Sequence, residues 1–150
     1  MNPAELERYL HEHIPLSQAM GVSVVRGDHD GVELAAPLQP NLNHHRTAFG
    51  GSIASLAILS AWTYLHLRLR SVVPGSLLVI QKSDFTYLKP VEGDFTAFCS
   101  APSEPEWERF VKIFNRKGKA RLTLHAELVY GGEVTGRFEG DYVAAKETAR

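Results

Sequence analysis

The sequence predicts an α+β fold in which an antiparallel sheet wraps around one buried helix. Two observations carry that prediction. The stretch from about Gly51 to Arg70 is apolar on nearly every side: Ile53, Leu56, Ala57, Ile58, Leu59, Ala61, Trp62, Tyr64 and Leu65 spread around the helical wheel. A helix without a polar face has to be enclosed by other structure. About six strand-like segments flank it, grouped in runs and not alternating with helices, which favours antiparallel pairing over parallel crossover units.

The elements follow in order. Asn2-Pro3 pairs an N-capping side chain with a proline at the first helical position, and Leu6, Tyr9, Leu10 and His13 continue at helical spacing. Pro15 interrupts that helix, and a short turn through Met20 closes at Gly21. Val22 to Arg26 and Val32 to Ala36 read as a hairpin across Asp28-His29-Asp30-Gly31. A polar loop, Pro37 to Arg46, leads into the long helix, which Pro74-Gly75 ends. Leu77 to Lys89 is a long strand rich in β-branched and aromatic residues, and Asp94 to Ala101 is the next. Trp107, Phe110, Val111 and Phe114 mark a short amphipathic helix over Pro105 to Lys117. In Ala120 to Tyr130, Leu122, Leu124, Ala126 and Leu128 alternate with Arg121, Thr123, His125 and Glu127. Gly131-Gly132 then turns the chain into a last strand, Glu133 to Ala145.

The 150 residues suit one domain, residues 1–150, and the 44% apolar and 22% charged composition is that of a globular chain. A formal net charge of −1 supplies no field to attract nucleic acid or an anionic membrane. The one cysteine, Cys99, excludes an intrachain disulfide and fits a reducing compartment. The charged start MNPAELERYLHEH lacks the apolar core of a secretory signal. Ser55, Ser60, Thr63, His66 and Arg68 interrupt the most apolar window, Ile53 to Leu69, where a membrane span needs ~20 mainly apolar residues. A cytoplasmic protein with neither membrane nor nucleic-acid partner is expected.

Several motifs resemble those of one family. Asn43-His44-His45-Arg46-Thr47-Ala48-Phe49-Gly50-Gly51-Ser52 resembles the N…G-T-x-H-G-G signature that opens the central helix of hotdog-fold thioesterases, and Asp84 to Val91 resembles their F-x-r-P-V strand. Gly118-Lys119-Ala120-Arg121 and Gly140 to Ala144 resemble the last two strands. Leu16 to Gly21, Ala36-Pro37-Leu38, Thr47 to Ser52 and Tyr87 to Val91 look most like the thioesterase-like domain at the C-terminus of YiiD-type acetyltransferases, here expected to stand alone. The resemblance covers nearly the whole chain. It implies the hotdog fold, hydrolysis of an acyl-CoA or acyl-carrier-protein thioester, a homodimer or homotetramer with sites at subunit junctions, and no cofactor, coenzyme A entering only as part of the substrate. Two positions depart from the pattern. Phe49 stands where the family usually has His, and no Asp or Glu occurs between Gly50 and Arg70, where many members carry a catalytic acid.

Thioester hydrolysis needs a polarised carbonyl and an activated water. A helix N-terminus offers free N–H groups and a positive dipole end, so Gly51, with Ser52, is a candidate oxyanion donor, or else the glycines serve close packing. By resemblance Asn43 orients the water or the carbonyl; by local chemistry it is an ordinary turn residue. His45 or His44 could act as general base or could be a solvated loop residue. Asp84 is the nearest candidate for the missing carboxylate, acting within the chain or across a dimer, against an outward-facing strand residue. Thr47, Phe49, Gly50 and Ser83 flank this site as candidate substrate contacts. Lys119 and Arg121 belong to the one notable basic cluster, and the resemblance points them at coenzyme A phosphates. Trp62, Tyr64, Phe85 and Leu88 could line an acyl slot or be plain core. No H-x-x-x-H spacing with an acid suggests a metal site, and no G-x-S-x-G elbow suggests a serine triad. Two other readings stay open: a hydratase or dehydratase pairing His44 or His45 with Asp84, and a non-catalytic acyl-thioester binding module.

Overall fold

The computed structural model describes residues 1–147. Its elements are α1 (Pro3–His13), α2 (Pro15–Ala19), β1 (Ser23–Asp28), β2 (Gly31–Ala36), α3 (Gly50–Val72), β3 (Ser76–Tyr87), β4 (Phe95–Ser100), α4 (Glu104–Lys117), β5 (Lys119–Tyr130) and β6 (Glu133–Lys146). Every boundary lies close to the one the local chemistry predicts. Asn2 Oδ1 accepts from the Glu5 N–H at 2.8 Å, capping α1 ahead of Pro3. Such a cap is worth ~1 kcal/mol. Asp28 Oδ1 accepts from the N–H groups of Asp30 and Gly31 and closes the first hairpin. Gly118, at φ 74°, ends α4 in the left-handed conformation that suits glycine.

The six strands form one antiparallel sheet in the order β1-β2-β4-β5-β6-β3. Helix α3, 23 residues long, touches all six strands, so the sheet curls around it in the hotdog arrangement. Leu56, Ala57, Ala61, Tyr64 and Leu65 on α3 are fully buried against inward residues such as Leu34, Phe95, Leu124 and Tyr142. Tyr64 is therefore core and not the wall of a slot. Three side-chain hydrogen bonds pin the helix to the sheet. Tyr87 donates to the Gly50 carbonyl at 2.8 Å, Tyr142 to the Ile58 carbonyl at 2.6 Å, and Trp62 Nε1 to the Leu78 carbonyl at 3.2 Å.

The two edges of the sheet differ. Helix α1 lies along β1, where Glu7 Oε1 accepts from the Val24 N–H at 2.9 Å and His11 Nε2 donates to the Val22 carbonyl at 2.7 Å. At the other edge β3 is 12 residues long, pairs only with β6 among the described residues, and leaves Leu77 and Val79 more than half exposed. No helix is long and apolar enough to cross a membrane among the described residues.

Candidate active site at the start of the central helix

Helix α3 begins without a side-chain cap. Phe49 occupies the cap position, and its carbonyl accepts from the N–H groups of Ser52 (3.0 Å) and Ile53 (3.1 Å). The Phe49 N–H donates to the Asn41 carbonyl at 2.7 Å and the Ala48 N–H to the Val91 carbonyl at 2.8 Å. The N–H groups of Gly50 and Gly51 have no partner among the described residues. The free donor pair is thus Gly50 with Gly51, one residue earlier than the pair expected from sequence, because the Ser52 N–H is engaged by the tight first turn. The Phe49 ring, 56% exposed, lies over Gly51, where a Cβ would collide with it.

The loop before the helix is organised by one side chain. Asn43 Oδ1 accepts from the His45 N–H at 2.8 Å and the Thr47 N–H at 3.1 Å, and its Nδ2 donates to Thr47 Oγ1 at 2.8 Å. Backbone bonds from Asn43 N–H to the Thr47 carbonyl and from Arg46 N–H to the Asn43 carbonyl complete the turn, with Arg46 at φ 64°. Both lone-pair positions of Asn43 are used inside the loop, so it holds the loop and leaves no acceptor for a water. His44 and His45 are exposed at the loop tip, their rings 3.9 Å apart.

Strand β3 supplies the facing wall, and here the register decides which side chains take part. Leu78 and Ile80 point toward the helix. A bulge between Ile80 and Lys82 then inserts one residue and reverses the alternation. Beyond it Ser83, Phe85 and Tyr87 stand on the helix side, in register with the buried Gly140, Phe138 and Gly136. Asp84 consequently lies on the outer face, exposed, in register with the exposed Glu139 and His125. It does not supply a carboxylate to the helix start of its own chain. Within one chain, Asp84 is thereby set on the opposite face of the sheet from the helix start.

Lys119 and Arg121 stand apart from the helix start of their own chain. The helix start lies at the level of Tyr87, which pairs through Gly136 with Leu128. Arg121 is seven residues from Leu128, about 24 Å along the strand, on the outer face beside Gln81 of β3. Both cations therefore sit at the opposite end of the sheet from the glycines.

An apolar cavity of about 210 Å³ begins one turn into the helix. Ser55, Leu59 and Trp62 form its α3 wall, Ile80 of β3 closes one side, and Ile14, Leu16 and Met20 from the α2 region roof it. Of the aromatic residues suggested for a slot, Trp62 lines it. Tyr87 and Ile80, unassigned from sequence, are placed at the site by the strand register alone. Cys99 is buried and unpaired by disulfide, and burial pushes its thiol pKa up to about 12, which leaves it protonated and unreactive at neutral pH. Among the described residues no group of three His, Cys, Asp or Glu side chains is placed to hold a metal ion.

Comparison with known proteins agrees with this architecture. Residues 3–146 match the model of a family described as "putative thioesterase (yiiD_Cterm)". A crystal structure of a protein of unknown function from Chlorobaculum tepidum is 32% identical, with a TM-score of 0.91 over 97% of this chain and 98% of that one. A "putative thioesterase" from Shewanella oneidensis is 26% identical, with a TM-score of 0.84 over 95% and 96% of the two chains. The thioesterase HI1161 from Haemophilus influenzae shares the fold at a TM-score of 0.76 and 11% identity, over 97% of this chain and 92% of that one.

Proposed function

Since this chain belongs to the YiiD C-terminal thioesterase family, we propose that it hydrolyses acyl-CoA or acyl-carrier-protein thioesters at the start of α3. The observation that carries this reading is the unpaired Gly50 and Gly51 N–H pair beside an apolar cavity that opens one turn further along the same helix. The thioester oxygen accepts from the two N–H groups, which aim fixed dipoles at the charge that develops during attack. Water adds to the carbonyl carbon, its proton passes to His45, and the C–S bond breaks as the thiolate leaves and takes up a proton. His45 is preferred to His44 because Asn43 fixes its backbone N–H. Arg46, exposed in the same loop, takes the phosphate-binding role that Lys119 and Arg121 are too distant to fill within one chain. Ser52 and Thr47 flank the carbonyl as polar contacts, and Ser83, four residues before Tyr87 on the helix side of β3, faces the substrate further along.

The working unit is a homodimer joined through β3. That strand presents a long unpaired edge with exposed apolar side chains, while α1 covers the opposite edge. In an antiparallel pairing of two such edges, the Tyr87 end of one β3 meets the Ser76 end of the other, so each helix start lies at the junction.

The test is thiol release from acyl-CoAs of two to sixteen carbons. Hydrolysis is expected, with His45→Gln lowering kcat at least about tenfold, the low end of what a general base contributes. Tight binding without thiol release at any length would overturn the enzyme reading in favour of a binding module, which the absence of an acid from Gly50 to Arg70 favours.

A further inference from the structure

We propose that Trp62 is a chain-length ruler, which restricts the protein to medium-chain acyl groups of roughly eight to twelve carbons. The inference rests on the acyl-thioester reading above and deepens it. The cavity runs along α3 from Ser55 to Trp62. Seven residues of helix span about 10 Å, and a zigzag chain built on ~1.5 Å C–C bonds advances about 1.3 Å per carbon, so the cavity takes about eight carbons. Its volume agrees. At about 30 Å³ per water-sized group, 210 Å³ holds roughly seven methylenes. The single turn between Gly51 and Ser55 adds the few carbons nearest the thioester.

Trp62 closes the far end and is held there. Its Nε1 donates to the Leu78 carbonyl at 3.2 Å. Its ring lies parallel to His66, 5.0 Å between centroids and 7° between planes, and His66 stacks in turn on Tyr9 at 4.7 Å. Moving the indole aside would break the hydrogen bond and the stack together. Behind it lies a second cavity of about 260 Å³, bounded by Tyr9, His66, Leu69 and Leu78, and Trp62 is the lining residue on α3 that the two cavities share. The indole is thus a partition between two spaces, and removing it would join them.

The experiment measures, for chains of four to twenty-two carbons, binding of non-hydrolysable S-alkyl-CoA thioethers in parallel with thiol release from the matching acyl-CoAs. For the native protein, affinity is expected to rise to about ten or twelve carbons and to fall at least about tenfold by sixteen, where the chain outruns the helix length available. Trp62→Ala should move that fall out by about four carbons or more, given the added volume. Ser55→Phe, which fills the cavity near its mouth, should move it inward to about six, and decides the matter alone if Trp62→Ala does not fold. Affinity that climbs without a break to eighteen carbons, or a cut-off that neither substitution moves, would overturn the ruler even if thiol is released. A cut-off that shifts in these opposite directions without thiol release would uphold the ruler and remove the hydrolytic reading.

Discussion

Asn43 shows how one side chain acts through the backbone around it. Its carboxamide holds the His45 and Thr47 N–H groups and the Thr47 hydroxyl, fixing the turn that delivers Phe49, Gly50 and Gly51. Replacing it by alanine leaves the part-buried Thr47 N–H without its acceptor, at about 1–2 kcal/mol, while the exposed His45 N–H can turn to water. Asn43→Ala should therefore lower kcat for thioester hydrolysis by about tenfold or more, since ~1.4 kcal/mol is tenfold in rate, with little change in KM. Asn43→Asp keeps the acceptor oxygen and should retain more turnover than alanine. Steady-state thiol-release kinetics of the three proteins would check it, and equal kcat values would show that the loop geometry does not depend on this residue. Asp84 carries the opposite lesson. Counting by twos from Leu78 and Ile80 turns it toward the helix, and the extra residue of the bulge turns it away.

At the scale of the element, α3 is stabilised by enclosure and not by its ends. Its N-terminus lacks a capping side chain, a deficit of ~1 kcal/mol, while its apolar residues are buried on every side and three hydrogen bonds tie its carbonyls and its indole to the sheet. Leaving the first N–H groups uncapped keeps them available to a substrate. The C-terminal half carries His66, stacked between Tyr9 and Trp62 with Arg70 and His13 nearby. Burial chiefly, then the Arg70 and His13 charges, lowers its pKa from the usual 6.5. The unfolded chain then binds the proton more readily than the folded one. His66 costs nothing above its unfolded pKa, and stability falls as pH drops below about 6.5 toward the lower folded value. Thermal melts from pH 7.5 to 5.5 should show a falling Tm, with a shallower fall in His66→Phe, which keeps a stacking ring and loses the titration. Parallel falls would place the acid sensitivity on another group.

For the whole molecule, the asymmetry of the sheet edges matters most. Glu7 and His11 cover the β1 edge, whereas β3 presents Leu77 and Val79 beside an unpaired edge. A flat, apolar, uncovered edge invites pairing with another chain. Val79 lies on the outer face, 59% exposed, in register with Val143 and Arg121, so a lysine there reaches solvent without entering the core around α3. Sedimentation of the native protein should give a dimer, and Val79→Lys should shift it toward monomer while preserving the melting transition. A variant that remains fully dimeric would exclude the β3 edge as the interface.

Local chemistry in the sequence determined the order, type and approximate limits of the elements. Asn2-Pro3, Asp28 to Gly31 and Gly118 act within a few residues of themselves, and the all-apolar stretch after Gly51 has only one comfortable place, inside the sheet. The free N–H groups at the helix start were legible for the same reason, although the tight turn through Ser52 moved the pair by one residue. Tertiary structure decided everything that depends on pairing between distant segments. Strand β3 meets β6 some 60 residues later, and one bulge in that pairing chose Ser83, Phe85 and Tyr87 over Asp84. The same register placed Lys119 and Arg121 at the far end of the sheet. It also set Trp62 against Leu78 as the end of the cavity. A period-two pattern states that a strand has two faces, and only the register of its neighbours states which of them meets the helix.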